Sequence, residues 1–237
     1  MPSADSTNYQ NLLRRYEGYA PNYDRKWGRY SAATLSRALE AIPIEGYSSL
    51  IDVACGTGIL AEMLRQHRPN LHITGIDISP DMLAKARQRI PPDARTRWLV
   101  GQAETLPVEA RTFDVLTCTN AFHLVQNAPS ALAEFRRVLR PGGTLVLVDW
   151  CRDFPLMKFR TAVLKVADKQ RRQIRTMREL ADLLEDSEFK LRSLERFRAR
   201  SWGLMCVVAR SPEIPVAHSV SQQQPSRLAQ NAVRSHV

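Results

Sequence analysis

The segment from Asp52 to Gly58 reads Asp-Val-Ala-Cys-Gly-Thr-Gly and lies between a short apolar run and a predicted helix. It lacks the Walker pattern GxxxxGK followed by Ser or Thr, and only Gly56 falls in place for the dinucleotide pattern GxGxxG. A carboxylate at Asp52 would repel a pyrophosphate, and it favours a ligand with cationic groups such as an ammonium or a sulfonium. Small residues at positions 54, 56 and 58 let the backbone approach that ligand closely.

Polar or small residues also follow the next two predicted strands. Asp77 stands 21 residues past Gly56, where a carboxylate can accept hydrogen bonds from both hydroxyls of a ribose. Gln102 is placed to bond an adenine amino group, and the amide of Ala103 to read a ring nitrogen. Met82 is placed either against the adenine face or in plain helix packing. Because ligands of open α/β sheets bind at the carboxyl ends of strands, these segments indicate a single adenosine-containing ligand.

A fourth segment, Asn120-Ala121-Phe122-His123, comes directly after the fourth predicted strand. His123 is the best-placed candidate for a general base, since imidazole can take a proton near neutral pH. The alternative is a loop histidine that packs or contacts the substrate. Four segments in this order, all at strand ends, form a much more specific signal than one glycine turn.

These segments need a scaffold, and strands alternate with helices over residues 49–149, which predicts a mostly parallel sheet covered on both faces. Residues 7–42 read as helices around a break at Gly28. Residues 154–175 are expected to form one long basic helix, and a capping box at Thr176 starts a second helix. Two further strands are expected to pair as an edge hairpin. We therefore divide the chain into an N-terminal helical lid (residues 1–42), a Rossmann-like domain (residues 43–210) and a disordered tail (residues 211–237). The domain contains a helical insertion at residues 154–186.

Composition narrows the class of protein. The formal net charge is +10, and residues 158–178 contribute eight basic side chains against one acid. The four cysteines are far apart in sequence and form no CxxC, so we expect neither a metal site nor a disulfide framework. No apolar run is long enough to span a membrane and no secretory signal is evident, so we expect a cytoplasmic protein.

The runs LIDVACGTGILAEML, GIDISPDMLAKAR, GQAETLPVEARTFDVLTCTNAFHLV and EFRRVLRPGGTLVLVDW resemble class I methyltransferases of the type 11 group. That group includes the ubiquinone and menaquinone ring C-methyltransferases. The resemblance implies a doubly wound α/β fold, with a seven-stranded sheet of order 3-2-1-4-5-7-6 whose strand 7 is antiparallel. It also implies S-adenosyl-L-methionine as the cofactor.

Carried over by position, the resemblance implies a set of cofactor-binding residues: Tyr23, Asp52, Ala54, Cys55, Gly56, Gly58, Asp77, Ile78, Met82, Gln102, Ala103, Asn120 and Phe122. The lid motif YxxxAxxYD of the family is matched by Tyr16, Tyr19, Ala20, Tyr23 and Asp24. The sequence departs from the family at Ala54, where glycine is usual, at Gln102, where an acid is usual, and at Ser187-Glu188-Phe189, where AGF is typical.

The resemblance implies in-line methyl transfer to an acceptor, and proximity and alignment supply much of such catalysis. No NPPY-like run follows strand four, which disfavours nucleobase methylation, and clustered thiols for arsenite are missing. We therefore expect a small organic or lipid-like acceptor, lined in part by apolar residues of the insertion: Phe154, Leu156, Met157, Phe159, Val163 and Leu164. The alternative is a non-catalytic cofactor-binding module that docks on nucleic acid or on anionic membrane through the basic helix 158–178. The sequence leaves the oligomeric state open.

Overall fold

The computed structural model describes residues 10, 12–14, 16, 20–43, 46–167 and 173–213. Seven strands form one sheet of order β3-β2-β1-β4-β5-β7-β6, in which β7 runs antiparallel to β5 and β6. The sheet order and the hairpin are therefore confirmed. The strands are β1 (Ser49–Val53), β2 (His72–Asp77), β3 (Thr96–Val100), β4 (Phe113–Thr119), β5 (Leu139–Trp150), β6 (Lys190–Ala199) and β7 (Trp202–Arg210).

Helices cover both faces of the sheet. Leu35, Leu60 and Leu83 of the first three helices pack on one face, and Leu132 and Leu184 of later helices pack on the other. The helices are α1 (Tyr23–Ala41), α2 (Ile59–His67), α3 (Pro80–Arg89), α4 (Ala128–Val138), α5 (Pro155–Ala167) and α6 (Met177–Asp186). This is the doubly wound arrangement that the alternation of strands and helices predicts.

The predicted break at Gly28 is wrong, because α1 continues without interruption from Tyr23 to Ala41. A glycine inside a helix costs only about 1 kcal/mol relative to alanine. The burial of Tyr30, Leu35 and Ala38 against the sheet outweighs that cost. The helix assigned to a lid is therefore also part of the core.

Two other boundaries differ from the predictions. The helix expected over residues 154–175 is described as α5 from Pro155 to Ala167, and it does not reach Arg175, which instead forms a parallel bridge with Cys151. Strand β5 starts at Leu139, before the Pro-Gly-Gly turn expected to precede it, because Leu139 already pairs with Phe113. The capping box at Thr176 is present, with reciprocal hydrogen bonds between Thr176 and Glu179.

The four cysteines, at positions 55, 118, 151 and 206, are all buried and unbridged. Of the predicted tail, residues 214–237 lie outside the described residues. Ser211 continues beyond β7 and donates its backbone N–H to the carbonyl of Gly143 at 2.8 Å. Within the described ranges, no helix is long and apolar enough to cross a membrane.

Candidate active site

The loop between β1 and α2 contains three residues with positive φ: Ala54 (59°), Gly56 (56°) and Gly58 (78°). A Cβ atom placed on Gly58 would lie 3.0 Å from the Trp98 ring and 3.1 Å from Ala86, so a side chain there would crowd both. A Cβ placed on Gly56 meets no heavy atom within 4 Å. The backbone at Gly56 is thus open to a neighbouring ligand, as the sequence predicts for this turn.

Asp77 holds the glycine loop against the end of β2. Its Oδ2 accepts the N–H of Gly56 at 2.8 Å, and its Oδ1 accepts the N–H of Ser79 at 2.9 Å. Burial raises the pKa of this carboxyl, while the backbone N–H donors oppose the rise. Each oxygen keeps a further lone pair for a hydroxyl donor, so the carboxylate fits a ribose diol.

Asp52, at the carboxyl end of β1, is 1% exposed and accepts the hydroxyl of Thr117 at 2.7 Å. Burial raises its pKa to about 7, and the neighbouring Asp77 adds to the rise. A cationic ligand would favour the ionised form of Asp52. The pair of buried acids therefore fits a cationic nucleoside better than a phosphate.

A groove opens between α1, the glycine loop and the end of β4. Six of the predicted cofactor-binding residues line it: Tyr23, Asp52, Ala54, Cys55, Gly56 and Asn120. Its other lining residues are Ser31, Leu35, Thr57, Ile59, Leu60 and Thr119. The structure therefore brings together segments that lie almost 100 positions apart in the sequence.

Other predicted cofactor residues lie outside this lining. Gln102 is exposed, and its carbonyl accepts the N–H of Thr105 at 3.2 Å. Ala103 is half-buried against the main core, and Met82 is buried at the start of α3. Three further residues adjoin the groove through the glycine loop and the end of β2: Gly58, Asp77 and Ile78. Phe122 is instead a core side chain, and its ring centroid lies 6.3 Å from that of Phe135. The adenine contacts thus stay a prediction.

The start of α1 is tied to the glycine loop. Asp24 accepts the Thr57 hydroxyl at 2.7 Å and forms an ion pair with Arg89 at 2.5 Å. Arg89 also donates to the carbonyl of Thr57 at 3.0 Å and pairs with Glu62. Of the remaining lid motif, Ala20 is buried and the rings of Tyr16 and Tyr23 lie 6.4 Å apart, while Tyr19 lies outside the described residues.

Asn120 adopts a φ of 58°, and side chains of α1 hold it there. Its Oδ1 accepts the hydroxyl of Tyr30 at 2.8 Å, and its Nδ2 donates to the hydroxyl of Thr34 at 2.8 Å. The Tyr30 hydroxyl also accepts the indole N–H of Trp150 at 2.7 Å. Burial raises the pKa of Tyr30 well above its usual range, so this hydroxyl stays a donor.

His123 forms a buried pair with Asp149, which is the last residue but one of β5. Its Nδ1 lies 2.6 Å from Oδ1 of Asp149, and its backbone N–H donates to Oδ2 at 2.6 Å. The ring stacks on Trp150 with 4.2 Å between centroids. Sequence reasoning missed Asp149, although it ends an apolar strand as Asp52 and Asp77 do.

An aromatic cluster lies beside this pair at the carboxyl ends of β4 and β5. Trp150 stacks on Trp202 at 4.7 Å, and the ring of Tyr30 meets Trp202 edge-on at 5.8 Å. Trp27 contacts both Tyr30 and Trp202, at 5.8 and 6.3 Å. We call Trp27, Tyr30, Trp150 and Trp202 the aromatic cluster.

Comparisons with known proteins agree with this geometry. Residues 51–147 match the family model described as a methyltransferase domain. A ubiquinone/menaquinone biosynthesis C-methyltransferase of Dinoroseobacter shibae is 41% identical over 104 residues, covering 43% of this chain and 42% of the relative. A demethylmenaquinone methyltransferase of Deinococcus radiodurans is 38% identical over 153 residues, covering 60% of this chain and 61% of the relative.

Among solved structures, a SAM-dependent methyltransferase from Thermotoga maritima aligns with a TM-score of 0.68 at 21% identity, over 84% of this chain and 99% of that one. This likeness concerns the fold alone. The chain spans about half the length of the two curated relatives that it matches.

The sheet order is that of the class I S-adenosylmethionine-dependent methyltransferase fold, and residues 51–147 match the methyltransferase domain model. Within that fold class, the chain is similar in sequence to the quinone C-methyltransferases described above.

Proposed function

We propose that this protein transfers a methyl group from S-adenosyl-L-methionine to a lipophilic aromatic acceptor of the quinol type. One observation carries the proposal: the groove, the His123–Asp149 pair and the aromatic cluster all lie at the edge of the sheet where β1, β4 and β5 end and β7 begins. The acceptor class is suggested by the names of the quinone methyltransferase relatives.

Each cofactor-binding residue has a separate task in this proposal. Asp77 would accept the ribose hydroxyls, Asp52 would balance the cationic end of the cofactor, and Gly56 would let the backbone lie close to it. When bound, the cofactor supplies a methyl group on a sulfonium, which is a good leaving group. The tie between Asp24 and Thr57 would keep α1 over the loop and help to exclude water.

The aromatic cluster supports an aromatic acceptor, because stacked and edge-on rings add to apolar burial. A quinol ring with a free position beside a hydroxyl would present its carbon to the methyl group. In-line displacement breaks the bond from methyl carbon to sulfur and forms a bond to the ring carbon. Overall, the acceptor loses one proton.

We assign that proton to Nε2 of His123. With Nδ1 against the Asp149 carboxylate, Nδ1 carries its hydrogen and Nε2 becomes the accepting nitrogen. Asp149 is a positioning residue in this scheme, since it also fixes the backbone of His123 and stabilises the imidazolium that forms. Stacking on Trp150 fixes the plane of the ring.

The first test is calorimetric titration of the whole protein with S-adenosyl-L-methionine, with NAD as a control ligand. Asp77→Ala should abolish binding, whereas Asp93→Ala, which removes a surface ion pair with Arg65, should leave it unchanged. Binding in the wild type then justifies an assay with short-chain demethylmenaquinol, in which mass spectrometry should find a gain of one methyl group on the ring. A preference for NAD, or binding that survives Asp77→Ala, would contradict the proposed site.

We further propose that the protein acts in the cytoplasm, that nucleic acid is not its partner, and that the N-terminal lid ends at residue 42. The comparisons give no support to a non-catalytic module that docks through residues 158–178, and residues 168–172 of that segment lie outside the described residues.

A further inference from the structure

Helix α5 presents an apolar stripe to solvent. Leu156, Phe159 and Val163 are 47%, 68% and 48% exposed, and their spacing of three and four residues places them on one face. Among the described residues only two other large apolar side chains, Val100 and Leu191, are exposed to a comparable degree. We expected all three stripe residues to line the acceptor pocket; in the structure they face solvent, and a contact with the acceptor stays a prediction.

The opposite face of α5 is firmly attached to the protein. Met157 is fully buried in the core cluster that contains Tyr30 and Trp150, and Thr161 is buried with its hydroxyl on the Met157 carbonyl at 2.7 Å. The stripe is therefore held outward by packing on the inner face. The stripe is exposed because α5 packs on the protein through its opposite face.

Cationic groups lie on and beside the first turns of α5. Lys158 is exposed, and the guanidinium of Arg160 lies over Trp202 at 4.3 Å. From strand β6, the guanidinium groups of Arg196 and Arg198 lie 5.8 and 5.1 Å from the ring of Phe154, which directly precedes the helix. Residues 154–167 contain no Asp or Glu, so α5 itself contributes no negative charge.

We propose that the exposed face of α5 docks the protein on an anionic lipid surface. An outward apolar stripe with a basic margin is the arrangement with which interfacial helices bind such membranes, since apolar burial and charge attraction act together. A second copy of this chain would bring two basic margins together. The phosphates of a nucleic acid could pair with the basic residues, but a nucleic acid would leave the apolar stripe exposed to water.

Docking in this orientation has a consequence for the active site. The inner face of α5 packs on the cluster that includes Tyr30 and Trp150, so the bilayer surface would lie just outside that cluster. The docking test below needs neither cofactor nor acceptor. Its outcome is therefore independent of the methyl-transfer proposal.

The test is co-sedimentation of the full chain with two kinds of vesicle, pure phosphatidylcholine and phosphatidylcholine mixed with phosphatidylglycerol. The wild type should bind the mixed vesicles and bind the neutral ones at least tenfold more weakly. Phe159→Ser combined with Val163→Ser should lower binding to mixed vesicles at least tenfold. The matched control, Val100→Ser combined with Leu191→Ser, removes equally exposed apolar side chains elsewhere and should leave binding unchanged.

The charge contribution is tested separately by Lys158→Glu, with Lys190→Glu at the far end of β6 as the control. Only Lys158→Glu should weaken binding to mixed vesicles. Equal losses in the control variants would overturn the proposal, because they would indicate non-specific attraction to a basic protein. Light scattering provides a further check. If Phe159→Ser abolishes a dimer of the wild type and leaves vesicle binding unchanged, the stripe binds a second copy of the chain, and the docking proposal is wrong.

Discussion

The indole N–H of Trp150 donates to the hydroxyl of Tyr30 at 2.7 Å, and so joins the end of β5 to the middle of α1. The same hydroxyl donates to Asn120 at the end of β4. One phenol thus connects α1 to two strands that border the candidate site. Because Tyr30 and Trp150 are buried and Asn120 is half-buried, the connection should be sensitive to loss of a single oxygen atom.

Tyr30→Phe should lower the free energy of unfolding by about 2 kcal/mol or more. It leaves the Trp150 donor and the Asn120 acceptor without this partner, and each unsatisfied buried group costs about 1–3 kcal/mol. Urea denaturation measures the change. Tyr47→Phe is the control, since Tyr47 is half-buried and its ring faces Arg68; a similar loss there would mean that any tyrosine oxygen matters equally.

Gly56→Ala and Gly58→Ala should separate ligand binding from folding. Both place alanine at positive φ, which costs about 1–2 kcal/mol. Gly58→Ala should cost about 1–3 kcal/mol more, because its Cβ overlaps Trp98 and Ala86. Gly56→Ala should weaken cofactor binding at least tenfold, as measured by calorimetry. Its loss of stability should be smaller than that of Gly58→Ala. The reverse order of stabilities would refute this account of the loop.

Cofactor affinity should rise with pH up to about 7. Burial raises the pKa of Asp52 to about 7, so the group is mainly neutral below that pH and gains charge as pH rises through it. A cationic ligand binds the ionised form better, and by linkage affinity should increase about tenfold between about pH 5.5 and 7. Calorimetric titration across this range measures it. In Asp52→Asn the affinity should be lower, and its pH dependence much reduced; an unchanged profile would exclude Asp52 as the source.

His123→Gln should lower kcat by about 10²–10⁴ if His123 accepts the proton. The KM for the acceptor and the affinity for the cofactor should stay near the wild-type values. Asp149→Ala should approach the same kcat, and Asp149→Asn should recover part of it, because the amide oxygen can still accept from Nδ1. An equal loss of cofactor affinity in these variants would point to a purely structural role.

Asp24→Ala should speed cofactor dissociation several-fold and lower the free energy of unfolding by about 1–3 kcal/mol. The ion pair with Arg89 is partly exposed and contributes only about 0–1 kcal/mol, so most of the loss comes from the buried Thr57 hydroxyl, which no longer has Asp24 as its acceptor. Stopped-flow fluorescence measures the rate. Asp93→Ala, which breaks a similar pair with Arg65 away from the groove, should leave the rate unchanged.

The order of the strands was implied by the family resemblance, whereas the alternation of strands and helices could be predicted because its signals are local and repeated. The central strands are apolar, and residues 50–53 and 113–119 end beside turns or polar segments that mark the binding edge. Gly28 misled the prediction, because local helix propensity carries no information about the burial of Tyr30 and Leu35 that holds α1 together. The end of α5 was misplaced for a similar reason, since the bridge from Arg175 to Cys151 is a contact between distant residues.

The candidate site was predictable in part. Asp52, Gly56 and Asp77 follow strands at the expected spacing, and the structure places them side by side. Asp149 was missed because it stands 26 positions from His123, and only the pairing of β4 with β5 brings their ends together. An acid at the end of an apolar strand was the signal available, and it applied to Asp149 as well.

The burial of all four cysteines makes the chain a convenient host for chemical labels. Burial raises the pKa of the Cys151 and Cys206 thiols to about 11, and those of Cys55 and Cys118 are raised as well, so reactive thiolate is scarce at neutral pH. A single cysteine introduced on the surface would then react selectively with a fluorophore or a nitroxide. No native cysteine need be removed first, so distances and immersion depth could be followed in the otherwise unaltered molecule.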